Sequence, residues 1–158
     1  MLSRFRLTDC KPVSTPMEPG IHLSRSQSPQ TDEERAEMAK TPYINAVGLL
    51  MYLAVGTQPE IMYSVAKLAQ YNSNPGPAHW KAVKHLFRYL KGTMDLKLTY
   101  ANNPTLSSEL FEAYSDADYA GCLDTRKSTS GFLIKMGNGA ISWSAKKQVT
   151  IANSSTVL

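Results

Sequence analysis

The chain has 158 residues, a formal net charge of +4 and 42% hydrophobic residues, which allows one small domain with appendages and permits a core. Its two cysteines, Cys10 and Cys122, lie far apart without metal-ligand spacing, which argues against a disulfide framework and for a reducing environment. Residues 1–18 carry Arg4 and Arg6 but no apolar run of signal-peptide length, and no stretch approaches transmembrane length, so membrane insertion is not expected.

Residues 1–30 read as a disordered arm. From Lys11 to Gln30 the chain holds Pro12, Pro16, Pro19, Pro29 and Gly20 among serines, a composition suited to an extended linker. A helical segment is predicted over residues 31–95. Thr31 can cap its first helix, with Glu34 at the reciprocal capping-box position and Asp32, Glu33 and Glu34 at the positive end of the helix dipole. Pro42 ends that helix.

From Tyr43 to Gly56 the residues are apolar on most sides (Ile44, Val47, Leu50, Met51, Leu53, Ala54), which suits a helix buried in a bundle. Pro59 opens a further helix in which Ile61, Met62, Val65, Leu68 and Ala69 recur at helical spacing until Asn72–Pro77. Ala78 to Lys91 forms a long helix with an apolar stripe, Trp80, Val83, Phe87 and Leu90, and a cationic stripe, Lys81, Lys84, Arg88 and Lys91, beside His85. Such a stripe suits contact with a nucleic-acid backbone or a solvated helix face. The histidines, His22, His79 and His85, are expected at the surface.

Over residues 96–158 a sheet is predicted. Leu96–Tyr100 alternates as an edge strand would, and Asn102-Asn103-Pro104 turns the chain. Leu110–Ser115, Gly131–Met136 and Ala140–Ala145 read as a three-stranded antiparallel meander with Gly137-Asn138-Gly139 at its second turn, and Gln148–Ile151 as a further strand or loop. The fold class is therefore α+β.

Tyr114-Ser115-Asp116-Ala117-Asp118-Tyr119-Ala120-Gly121, Asp124-Thr125-Arg126-Lys127-Ser128-Thr129-Ser130-Gly131 and Ile141-Ser142-Trp143-Ser144-Ala145-Lys146-Lys147-Gln148 together resemble the ribonuclease H domain of copia-type retrotransposon Pol polyproteins. Asp9–Met17, Pro42–Leu53 and His79–Thr93 resemble the connection between reverse transcriptase and that domain. The resemblance implies an incomplete ribonuclease H-like sheet with Asp116 as the first metal-binding carboxylate. Ribonuclease H requires several carboxylates holding two divalent ions about 4 Å apart. In the family a segment like Ser154-Ser155-Thr156 leads into an acidic helix start that supplies the second, whereas Val157-Leu158 stand here. Tyr114-Ser115-Asp116-Ala117-Asp118 also lacks the spacing of a polymerase aspartate pair. A chain without enzymatic activity, cofactor or metal is expected, with an open sheet face that invites a partner.

Asp32-Glu33-Glu34-Arg35 resembles the acidic segment of oomycete RxLR-dEER effectors, although His22-Leu23-Ser24-Arg25 and Arg4-Phe5-Arg6-Leu7 are only degenerate versions of Arg-x-Leu-Arg. The capping box alone accounts for the acids. The combination resembles secreted effectors whose bodies look like copia polyprotein fragments. It implies secretion into plant host cells, suppression of defence-associated cell death and an unidentified host-protein partner. The alternative is an inactive Pol fragment with residual, weak RNA–DNA hybrid binding through Lys81, Lys84, Arg88 and Lys91, or a piece of a longer polyprotein.

Overall fold

The computed structural model describes residues 2–5, 7–100 and 111–153. Its helices are α1 (Asp32–Ala39), α2 (Tyr43–Gly56), α3 (Met62–Ala69) and α4 (Pro77–Gly92), and its strands are β1 (Phe111–Ala117), β2 (Thr129–Met136) and β3 (Gly139–Lys147). Short 3-10 turns occupy Leu2–Phe5, Arg25–Gln27 and Pro59–Ile61. The class is α+β. Two compact units are formed, one of Met1–Tyr52 and Ser64–Leu96, the other of Leu53–Tyr63 and Lys97–Leu158.

In the helical unit, α1 starts as its sequence predicts. The Glu34 amide donates to Thr31 Oγ1 (3.2 Å), and the Glu34 carboxylate accepts from the Thr31 amide (3.3 Å). α4 begins at Pro77, whose missing amide hydrogen costs nothing at a first helical position. The core is made by Tyr43, Val47 and Leu50 of α2, Val65 and Leu68 of α3, and Val83, Leu86 and Phe87 of α4, all essentially inaccessible. The Tyr43 hydroxyl donates to the Leu68 carbonyl (2.9 Å), which satisfies the one polar atom on that buried ring. Burial pushes the Tyr43 phenol well above its ordinary pKa.

Two expectations are corrected in this unit. α2 is apolar on most sides yet buries one face only, since Ile44 is 61% exposed and Tyr52 79%. Tyr43, Ala46, Val47 and Leu50 fall at i, i+3, i+4 and i+7, so one stripe is buried, with Tyr43 reaching the Leu68 carbonyl and standing 6.5 Å from the Trp80 ring, while Ile44 projects elsewhere. His79, expected at the surface, is fully buried. Its Nδ1 accepts from the Gly76 amide (2.8 Å), which leaves the ring proton on Nε2, 3.1 Å from the Ser24 carbonyl; the ring stacks on Tyr71 at 4.0 Å. His79 thus does at the start of α4 what a capping side chain does.

The sheet unit is an antiparallel meander in the order β1-β2-β3. Phe111 pairs with Met136 and Ala117 with Ser130 across β1 and β2; Leu133 pairs with Trp143 across β2 and β3, with a register shift at Ile134/Lys135. Gly137 (φ +55°) and Asn138 (φ +65°) make the two-residue turn between β2 and β3, both in the left-handed region that a type I′ hairpin demands. The Trp143 indole donates to the Ala54 carbonyl (2.7 Å), tying β3 to the end of α2 inside this unit.

The predicted edge strand Leu96–Tyr100 is not a strand. No ladder partners it among the described residues, and Leu96 and Tyr100 are both exposed; its link to the meander is a side-chain one, the Tyr100 hydroxyl donating to the Ala140 carbonyl (2.7 Å). Gln148–Ile151 is loop, held at its start by the Gln148 amide on the Ser128 carbonyl (2.8 Å). Arg6, the turn at Asn102-Asn103-Pro104, Leu110 and the segment Ser154–Leu158 lie outside the described residues.

Candidate functional site

The sheet unit carries one of the sites the sequence singles out and the helical unit the other two. In the sheet unit a groove of about 870 Å³ is lined by Tyr63, Tyr114, Asp116, Asp118, Phe132 and Trp143, among others. Asp116 is on β1, one residue before its end and opposite Gly131. Its side chain is exposed, and Oδ1 accepts from the amide of Ala117 (2.9 Å). Asp118 follows the strand and has a different task. Its amide donates to the Thr129 carbonyl (3.0 Å) and its Oδ1 accepts from the Thr129 amide, extending the β1–β2 pairing past the last ladder residue. A side chain at Gly121 would run into the Asp118 carboxylate, its Cβ only 2.1 Å from Oδ2. Asp124 is exposed in the following turn.

Glu112 is the further acid on β1. Its Oε2 accepts from the Tyr114 hydroxyl (2.8 Å) and from Lys135 Nζ on the neighbouring strand (3.1 Å). The Tyr114 hydrogen bond and then the Lys135 ammonium hold its carboxyl below the usual carboxylate range, and the same carboxylate raises the Tyr114 phenol. Among the described residues no three His, Cys, Asp or Glu side chains come together as metal ligands. Among the described residues the donor set does not fit a two-ion centre: Asp118 Oδ1 is turned onto a backbone amide and Glu112 onto Lys135, and Glu60, although it lines the same groove, does not complete a cluster of three ligands with Asp116 and Asp118.

The loop from Asp118 to Thr129 closes on itself. Cys122 accepts the Arg126 amide through its carbonyl (2.7 Å), its amide donates to the Lys127 carbonyl (3.1 Å), and Lys147 Nζ reaches its sulfur (2.9 Å). Burial pushes the Cys122 thiol up, but the Lys147 and Thr125 hydrogen bonds outweigh it and bring the pKa down to about 7. The fully buried Ser128 hydroxyl accepts from the Ala120 amide (3.1 Å).

In the helical unit the cationic stripe of α4 meets the N-terminal arm. Lys91 Nζ donates to the carbonyls of Thr8 and Cys10 (2.8 Å to the latter), and Arg88 Nε donates to the Lys11 carbonyl (2.7 Å). His85 Nε2 lies 2.9 Å from the Thr15 carbonyl, and Lys81 lies 3.6 Å from the Glu18 carboxylate. Lys84 is exposed beside the arm in a cleft of about 480 Å³. The arm, read from its composition as a disordered linker, carries 3-10 turns at Leu2–Phe5 and Arg25–Gln27 and has its carbonyls held on α4. That tethering is the feature sequence reasoning missed, and the stripe of cations was its one available signal. The dEER-like residues Asp32, Glu33, Glu34 and Arg35 form the exposed first turn of α1. Glu34 closes the capping box and Arg35 Nη1 pairs with Asp32 Oδ1 (2.6 Å).

No family model and no solved structure matches the chain. Among curated proteins it is 44% identical over 156 residues to the retrovirus-related Pol polyprotein from transposon TNT 1-94 of Nicotiana tabacum, covering 99% of this chain. It is 39% identical over 156 residues to the corresponding polyprotein from transposon RE2 of Arabidopsis thaliana. It is also 44% identical over 119 residues to secreted RxLR effector protein 161 of Plasmopara viticola, covering 75% of this chain and 82% of the effector. The chain belongs to the copia-type retrovirus-related Pol family.

It spans 11% of the TNT 1-94 polyprotein and 10% of the RE2 polyprotein. As a copia-type Pol segment, the chain carries its three motifs as β1 with the turn after it, the closed loop leading into β2, and β3. Among the described residues no helix is long and apolar enough to cross a membrane.

Proposed function

We propose that the chain is a non-enzymatic effector, secreted and then active inside plant host cells, where it suppresses defence-associated cell death through a host protein. Its body is a copia-type ribonuclease H remnant that uses no cofactor. The observation that carries this reading is the 44% identity to secreted RxLR effector protein 161 over 82% of that protein. The exposed Asp32–Arg35 turn supports it as a surface available to an export or uptake factor. The roles of Asp118 and Glu112 in strand pairing and ion pairing support the absence of nuclease chemistry.

The test is expression of the 158-residue chain in plant cells challenged with a cell-death elicitor, with Asp116→Ala alongside. Equal suppression by both forms is the expected result. Suppression that disappears in Asp116→Ala would replace the non-enzymatic reading with a catalytic one, and none from either form would remove the effector reading.

A second reading is favoured by the 99% coverage of this chain by the TNT 1-94 polyprotein: an inactive Pol segment, or a piece of a longer polyprotein, with weak affinity for RNA–DNA hybrid. Lys81, Lys84, Arg88 and Lys91 would then contact phosphates. Binding should fall steeply with salt and weaken further in Lys84→Ala/Arg88→Ala. Absence of binding at low salt would eliminate this reading.

A further inference from the structure

The cations of α4 recur at spacings of three, four and three residues, which puts Lys81, Lys84, Arg88 and Lys91 on one helix face. Residues 8–18 run along that face in the opposite direction. Thr8 and Cys10 meet Lys91, Lys11 meets Arg88, Thr15 meets His85, and Glu18 meets Lys81. The arm is fastened at its far end by Phe5, whose ring lies 4.8 Å from that of Phe87 and 6.4 Å from that of Trp80.

The chemistry of this contact is unbalanced. Lys91 and Arg88 are matched to neutral carbonyl oxygens and Lys84 stands exposed, while the strap brings two acids, Asp9 and Glu18, of which Glu18 lies 3.6 Å from Lys81. A phosphodiester backbone supplies the same oxygen acceptors together with a negative charge at each. Successive cations stand about 6 Å (Lys84 to Arg88) and about 4.5 Å (Arg88 to Lys91) apart along the helix axis, within reach of neighbouring phosphates.

We propose that residues 7–18 are a displaceable strap: an internal substitute ligand that covers the phosphate-binding face of α4 and must lift before nucleic acid can bind there. This rests on the hybrid-binding reading of the same face and adds its regulation. An equilibrium between strapped and open forms lowers the apparent affinity by the fraction open. Loosening the strap without touching a charge therefore tightens binding.

The experiment uses the full chain, a short RNA–DNA hybrid as probe, and Phe5→Ala, which removes the anchor and leaves every α4 cation in place. Hybrid affinity should rise at least about threefold in Phe5→Ala, and its salt dependence should steepen as more phosphates are reached. In the unmodified chain, hybrid should speed alkylation of Cys10, which is half-buried in the strap with its carbonyl on Lys91, a readout that does not depend on any variant folding. Equal hybrid binding by both proteins, or Cys10 alkylation as slow with hybrid as without, would overturn the strap and leave hybrid binding intact. No hybrid binding by either protein at low salt would overturn both. Release of the strap by polyglutamate but not by hybrid would overturn it by making the occupant an acidic peptide.

Discussion

The helical unit and the sheet unit are built from similar amounts of apolar side chain and use it differently. In the helical unit Tyr43, Val47, Leu50, Val65, Leu68, Val83, Leu86 and Phe87 are out of contact with water. In the sheet unit no residue of β1 is buried, and Phe111, Tyr114, Phe132, Met136 and Ile141 are all exposed. One unit is held mainly by packing; the other buries Ala54 and Ile61 but leaves the strands' large apolar side chains mostly exposed, and relies on strand pairing, on turns in special backbone conformations, and on polar atoms such as Asp118 Oδ1 and Ser128 Oγ that close its loop. The same kind of substitution should therefore cost different amounts in the two.

The largest expected effect breaks the packed unit. Phe87→Ala removes a fully buried ring and should destabilise it by about 3–5 kcal/mol. Phe132→Ala, at a residue 44% exposed, should cost less than about 1 kcal/mol. Urea unfolding followed by far-UV circular dichroism measures both, and equal losses would abolish the contrast between the units.

Backbone approach comes next. A Cβ at Gly76 would stand 1.9 Å from the Gln27 carbonyl oxygen, which is backbone and cannot swing away. Gly76→Ala should cost about 1–3 kcal/mol by displacing either the Arg25–Gln27 turn or the start of α4. Faster amide exchange at Gln27 and Ser28 would report movement of the turn, and faster exchange at Trp80, whose amide donates to the residue 76 carbonyl, movement of the helix start. The matching change in the sheet unit is Asn138→Ala. At φ +65° an alanine adds about 1 kcal/mol of strain, because its Cβ crowds the following carbonyl while Asn tolerates the left-handed region. The loss should be confined to the β2–β3 hairpin amides.

What was readable beforehand follows the same division. Local chemistry showed through: Thr31 and Glu34 announce the start of α1, the Asn72–Pro77 break puts the start of α4 at Ala78, one residue after its actual first residue Pro77, and Gly137-Asn138 marks the hairpin. Each of these works within four residues. The errors arise where the partner is distant. Leu96–Tyr100 alternates but has no strand to pair with, and Ile44 is apolar but lies off the buried stripe of α2. His79 looked like one of three surface histidines because its neighbours Tyr71 and Ser24 come from other segments. The arm's low apolar content was correctly read as unsuited to a core. Composition does not reveal that a Lys/Arg stripe over seventy residues away can donate to its carbonyls.

The two candidate sites divide in the same way. Asp116 was placed at the end of β1 by local motif alone. That Asp118 and Glu112 are committed to Thr129 and Lys135 depends on strand register, which motif spacing leaves open.

The smallest effect sharpens the polar side of the comparison. Cys122 has a thiol pKa of about 7 in the fold, against 9.0 for an ordinary thiol, because Lys147 and Thr125 stabilise the thiolate more than burial opposes it. Between those two values the unfolded chain holds a proton that the folded chain has released, so unfolding takes up a proton and stability rises with pH. The contribution is full above the unfolded value and is lost as pH falls through about 7. Its size should be about 1 kcal/mol, since Lys147 is only partly shielded from solvent. Lys147→Gln should flatten this rise and move the midpoint of Cys122 alkylation upwards towards 9. Cys10 in the same molecule provides the internal reference for the alkylating reagent. An alkylation midpoint that stays near 7 in Lys147→Gln would assign the depressed pKa to Thr125 and the loop amides rather than to a side chain of β3. The loop from Asp118 to Thr129 would then hold its thiolate without help from the sheet's outer strand.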